Sequence, residues 1–145
     1  MKLAGLPPDA LRQVAAVTDG QIRLGPLMAV PEVLQDLGED PVALIQSAGV
    51  DSRLFDDPEN VIDFAGAGRL LARCAERTAR PHFGLLLGRT TGLDALGLVG
   101  LLVRHSRDAG TALRNLVVHL LIHDRGAAPV YAIEGGLVLL GYSIY

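Results

Sequence analysis

Apolar positions change their period along this chain, and the change divides it in two. From Val30 to Ile122 they recur every three or four residues, the spacing of helices with one buried stripe. From Ala128 they run in short β-rich stretches instead. Pro31, with Glu32 in the first turn, opens a helix that reaches Leu37 and stops at Gly38. A second opens at Asp40-Pro41 and runs to Gly49. Beyond a turn around Asp56-Asp57-Pro58, the segment Phe64 to Ala79 aligns Ala67, Leu71, Cys74 and Thr78 on one stripe and Arg69, Arg73 and Arg77 on another. That pattern predicts an amphipathic helix lying on a core with its arginines in solvent. Pro81 ends it, and His82 to Arg89 makes a short helix closed by Gly88 or Gly92. Leu96 to Arg104 is apolar nearly all round and therefore belongs inside the domain or at an interface. Asp108 can accept from free first-turn N–H groups, so it caps a helix from Ala109 to about Ile122.

The C-terminal pattern predicts two strands, Val130 to Glu134 and Leu137 to Tyr145, joined by Gly135-Gly136. A two-residue Gly-Gly loop suits a type I′ turn, which needs positive φ at both positions. Ile133 then faces Val138 and Tyr131 faces Leu140, giving an apolar face that the helices would cover. The fold class read from the pattern is α+β: a mostly helical N-terminal layer followed by a C-terminal antiparallel β-hairpin. Residues 1–27 form a mixed lead, with a short helix at Pro8-Asp9-Ala10-Leu11 and breaks at Asp19-Gly20 and Gly25-Pro26. This lead is set apart as an accessory segment, and residues 28–145 as the domain.

Composition narrows the class. At 145 residues the chain suffices for one domain with a real core. Half of its residues are hydrophobic. Its longest apolar stretch, Ala95 to Val103, is about half of what a membrane-spanning helix needs, so no membrane partner is expected. The N-terminus lacks the pattern of a secretory signal, which makes the cytoplasm the expected location. Cys74 is the single cysteine and fits a buried helical position. Thirteen basic against sixteen acidic residues give a formal charge of −3, no electrostatic reason for a nucleic-acid backbone to bind.

Several positions carry a resemblance when taken together. They are Leu44 and Ala48-Gly49, Leu54-Phe55 with Asp57-Pro58, and Arg69-Leu70-Leu71, followed by Pro81-His82-Phe83-Gly84-Leu85 with Gly88. Leu96-Gly97-Leu98 with Gly100, Ser106 and Ala112-Leu113 complete the series. In order and spacing, the chain from about Val30 to Tyr145 resembles the N-terminal, arabinose-binding-like half of AraC-type bacterial transcription regulators. The resemblance implies a domain that senses an unidentified small-molecule effector, serves as a homodimer interface, or does both. It also implies that DNA is read by a helix-turn-helix segment C-terminal to this one, with more sheet beyond Tyr145.

Catalytic chemistry is thinly represented. His119 and His123 are four apart, the spacing of two zinc ligands on one helix face, but Leu120-Leu121-Ile122 stands where a zinc protease would have its glutamate. His119 is therefore expected to be hydrogen-bonded inside the fold, and His123 to sit at a helix C-terminus as a cation. His105 as a haem ligand and Cys74 as a reactive thiol belong to the same alternative, a small metal- or haem-dependent sensor or enzyme; a ligand-free interaction domain is a further one. Gly92, Gly97 and Gly100 lack the Lys-Ser/Thr of a phosphate loop, and the last two are expected to let elements approach closely. No serine lies in a nucleophile elbow, so the reading is non-enzymatic, with no cofactor and no metal. An effector pocket is expected between the helical layer and the hairpin, with His119 and Tyr131 as the candidate polar contacts; His82, after Pro81, is expected to hold that turn by hydrogen bonding, with an effector contact as its alternative role.

Overall fold

The computed structural model describes residues 17–144; the short helix expected at Pro8 to Leu11 lies outside them. Among the described residues six α-helices and two antiparallel two-stranded sheets make an α+β fold. Strand β1 (Gln21–Arg23) leads through a 3₁₀ turn (Gly25–Leu27) into α1 (Val30–Asp36) and α2 (Pro41–Ser47). A second 3₁₀ turn (Ser52–Asp56) precedes β2 (Val61–Asp63), which pairs with β1 in the register Gln21 to Asp63. Then come α3 (Phe64–Arg77), α4 (Phe83–Thr90), a 3₁₀ turn (Leu93–Leu96), α5 (Gly97–Arg104) and α6 (Ala109–His119). A last 3₁₀ turn (Leu120–Ile122) hands over to β3 (Ala127–Glu134) and β4 (Leu137–Ile144).

Helix boundaries follow local chemistry. Asp40, Asp63 and Asp108 cap α2, α3 and α6, their carboxylates accepting from Ala43 N (3.1 Å), Gly66 N and Thr111 N (2.7 Å). The bonds from Thr111 hold the Asp108 carboxyl below its ordinary range. Helices α1, α2 and α3 end alike, the residue after the cap turning left-handed so that the next N–H reaches back over the last turn. Glu39 N bonds Leu34 O at 3.0 Å, Val50 N bonds Ile45 O at 3.3 Å and Arg80 N bonds Ala75 O at 2.9 Å. The left-handed residue is glycine at positions 38 and 49 but Ala79 after α3, with φ at 52°. An L-residue pays roughly 1–2 kcal/mol for that conformation.

The core gathers Leu24, Leu27, Val30, Leu34, Ile45, Leu70, Cys74 and Phe83, with Leu44, Val50, Ile62 and Leu87 around them. Leu24 and Leu27, from the segment set apart at 1–27, thus belong to the same core as the helices. Burial pushes the Cys74 thiol up to about 11. Arg69 and Arg77 face solvent, and Arg73 and Arg77 pair with Glu76 (2.7 Å) and Glu39 (3.2 Å).

Helix α5 buries only part of its apolar surface: Val99 and Gly100 are inside, while Leu101 and Leu102 are exposed. Gly100 does permit close approach, a Cβ there falling 1.8 Å from the Leu93 carbonyl oxygen, whereas Gly97 meets no such wall and instead has φ at 53°. The hairpin has the expected register, Ile133 opposite Val138 and Tyr131 opposite Leu140, with Gly135 and Gly136 both at positive φ. Its faces, however, are only partly covered by the helices: Pro129, Tyr131 and Ala132 of β3 are half-buried, with α6 against that strand, but every β4 residue is exposed, Leu137 and Ile144 by 69% and 64%. Only the base of the ribbon, at Ala127, is buried in the body of the domain.

A buried polar junction as the candidate functional site

Where the hairpin leaves the helical body, the chain returns to its beginning. Arg23 N bonds His123 O at 3.1 Å, Arg125 N bonds Gln21 O at 3.0 Å and Gly20 N bonds Arg125 O at 3.1 Å. Residues 123–125 therefore lie along β1 on the edge away from β2, with Ile22 bridged to Asp124. This pairing puts three polar side chains in the interior: Arg23, His123 and Asp124 are exposed by 6%, 4% and 2%.

Each of two charges has a partner. Arg23 Nη1 lies 2.7 Å from Glu59 Oε2, and the Arg23 side chain is far more buried than that of Glu59. Asp124 Oδ1 accepts from Gly126 N at 2.8 Å, closing a tight turn, and its other oxygen accepts a hydrogen bond from the Tyr142 hydroxyl on β4. Burial, and then donation to Asp124, raise the Tyr142 hydroxyl above its ordinary range. His123 is different. Burial, and then the Arg23 charge, push its imidazole down to about 4, against a smaller opposing effect from Asp124. It is a neutral ring, and its Nε2 has no hydrogen-bond partner among the described residues.

The expected roles of the two histidines are thus revised. His123, expected as a cation at a helix end, is buried and neutral; His119 is only half-buried, at the last residue of α6. The cause is the 3₁₀ turn Leu120–Ile122. At about 3.0 residues per turn, positions four apart are rotated by roughly a third of a turn and no longer share a face. Among the described residues no three His, Cys, Asp or Glu side chains gather as a metal-ligand set.

The other candidates lie on separate elements. His82 is exposed at the start of α4 and makes no side-chain capping bond there. Tyr131 is half-buried on β3, its hydroxyl 3.9 Å from where a Cβ on Gly110 would sit, at the first turn of α6. His119 ends that same helix, so the two flank its opposite ends, about 14 Å apart along the axis at 1.5 Å per residue.

Four concavities among the described residues stand out, and none of these four takes a wall from His82, His119 or Tyr131. The smallest, about 20 Å³, adjoins His123, Arg23 and Glu59. The largest is an open groove of about 660 Å³ between α3, α4 and the 3₁₀ turn Leu93–Leu96, walled chiefly by Leu27, Leu71, Leu87, Leu93 and Leu96. Gly84 and Gly88, one turn apart on α4, also line it. Among the described residues no single helix is long and apolar enough to cross a membrane.

Comparison with known proteins identifies the class. The family described as "Arabinose-binding domain of AraC transcription regulator, N-term" matches residues 38–144, and the chain belongs to that family. It is similar to the HTH-type transcriptional regulator VirS of Mycobacterium tuberculosis, in strains CDC 1551 / Oshkosh and ATCC 25618 / H37Rv. In both cases 26% of 103 residues are identical, covering 71% of this chain but 30% of the relative.

Proposed function

We propose that this chain is the regulatory part of an AraC-type transcription regulator, sensing a small effector, joining two protomers, or both, while a helix-turn-helix segment C-terminal to it reads DNA. The observation that carries the reading is the family match across residues 38–144. A formal charge of −3 agrees with placing DNA affinity outside this segment. The reading is regulatory and not enzymatic, and its setting is the cytoplasm, where the DNA is.

Effector sensing is supported by the groove between α3 and α4, whose size and apolar walls suit a small molecule. His82 stands two residues from Gly84 of that wall and is its proposed polar contact; Tyr131 and His119 lie outside the groove and are proposed as contacts for an effector bound against the hairpin. Dimerisation is supported by the exposed apolar hairpin, since an unpaired β4 edge offers backbone groups to a second strand. Any effector must bind one arrangement better than another to shift the DNA-binding part.

A thermal-shift screen against small metabolites, run beside sedimentation over a concentration range, tests both roles. A stabilising ligand whose effect is lost in His82→Ala, His119→Ala or Tyr131→Phe supports sensing at those contacts. A dimer without ligand supports the second role. A monomer that no metabolite stabilises overturns the proposal.

A further inference from the structure

The polar junction leaves one atom unsatisfied, and its neighbours are not free to help. Glu59 is engaged by Arg23, and Asp124 by Gly126 and Tyr142. A buried polar nitrogen without a partner costs about 1–3 kcal/mol, and native folds leave few such atoms. His123 Nε2 is one, in a side chain almost wholly removed from solvent.

His123 is also part of the wall of the small cavity, with Arg23, Glu59, Gly97, Val99 and Ile122. About 20 Å³ is enough space for one water, which needs roughly 10–15 Å³ and two to four polar partners. An apolar hole of this size would stay dry; this one counts His123, Glu59 and Arg23 among its lining residues. The residues that open α5, Gly97 and Val99, stand at the same wall, and first-turn N–H groups have no acceptor within their own helix.

We propose that this cavity is a binding site for one hydroxyl group, held between His123 Nε2 and the Arg23–Glu59 pair. The hydroxyl belongs to a water molecule or to the alcohol function of a small molecule. Other chemistries fit less well. A cation meets the buried Arg23 charge, an anion meets Glu59, and an apolar group leaves Nε2 unpaired. A hydroxyl can donate to the carboxylate while accepting from the guanidinium or the imidazole N–H. Its size also matches, about 20 Å³ being room for one small polar group. The proposal stands independently of the regulatory reading.

Proton NMR of the wild-type protein near neutral pH tests it directly. A water-to-His123 Hε1 cross-relaxation peak is expected, together with a long-lived water in oxygen-17 relaxation dispersion that disappears in His123→Phe, whose ring fills the cavity. Should that variant fail to fold, the wild-type cross-peak alone decides. Methanol then separates the sources: replacement of the water signal by a methyl-to-Hε1 contact assigns the site to alcohols, and persistence of the water assigns it to solvent. A wild-type ring that shows neither water nor methanol contact overturns the proposal.

Discussion

Replacing Gly100 by alanine and Gly68 by alanine should move stability in opposite directions. Both glycines are helical, and in an exposed helix alanine is favoured over glycine by about 1 kcal/mol. Gly68 is exposed in α3, with nothing within 4 Å of where its Cβ would be, so that gain should be realised in full. Gly100 is buried in α5, and its Cβ would lie 1.8 Å from the Leu93 carbonyl oxygen and 2.7 Å from the carbonyl carbon. Ordinary contacts begin near 3.5 Å, so the two backbones must separate by about 1.5 Å. No flexible side-chain end can move aside instead. Overpacking of this kind costs about 1–3 kcal/mol, and a backbone obstacle belongs at the upper end. After the helix-propensity gain, Gly100→Ala should lose about 2 kcal/mol and Gly68→Ala should gain about 1. Urea denaturation followed by far-UV circular dichroism measures both. A Gly100→Ala protein as stable as the wild type would refute the close packing of α5 on the Leu93–Leu96 turn. Parallel shifts in the two variants would refute the reasoning from neighbours altogether.

Four further outcomes are expected. The unfolded chain protonates His123 near its ordinary 6.5, while the folded imidazole stays neutral down to about 4; the unfolded state thus binds more protons in that window. Stability should fall by about 3 kcal/mol as pH drops through it, and His123→Leu should flatten this part of the pH profile in denaturant titrations. Tyr142→Phe leaves the buried Asp124 without its hairpin partner and should cost about 1–3 kcal/mol, with faster amide exchange in β4; unchanged exchange would show that the bond does not hold the ribbon. Ala79→Gly relieves the left-handed strain after α3 and should raise stability by about 0.5–1 kcal/mol in thermal unfolding, a loss being the contrary result. Cys74, buried and with its thiol pushed up to about 11, should resist maleimide in the native state and react on unfolding; rapid native labelling would contradict its place in the core.

The helices were legible because their signals are local. Asp40-Pro41, Gly38, Gly49 and Asp108 mark ends through bonds to residues three to five positions away, and Gly135-Gly136 fixes the hairpin register in the same way. The polar junction depends on pairs far apart in sequence. Arg23 meets Glu59 and His123 through the pairing of β1 with two distant segments, and nothing in Gln21-Ile22-Arg23 specifies either partner. The one local hint was Asp124-Arg125-Gly126, a sequence suited to a side-chain-closed turn. His123 departs from its expected place because the helix tightens to a 3₁₀ turn at Leu120–Ile122, which rotates its ring inward relative to His119.

The docking of residues 123–125 on β1 also sets a timetable for synthesis. Gly20 and Gln21 emerge early, yet the backbone partner for their outer edge, Arg125, is made about a hundred residues later. At roughly 5–20 residues per second, a ribosome takes about 5–20 s to cover that distance. Once Asp63 is made, β1 can pair with β2 but presents an open edge on its other side until Arg125 follows, the kind of surface that nascent-chain chaperones shield and crowded neighbours capture. Conditions that slow translation between Asp63 and Arg125 should therefore lower the soluble yield more than equal slowing after Arg125.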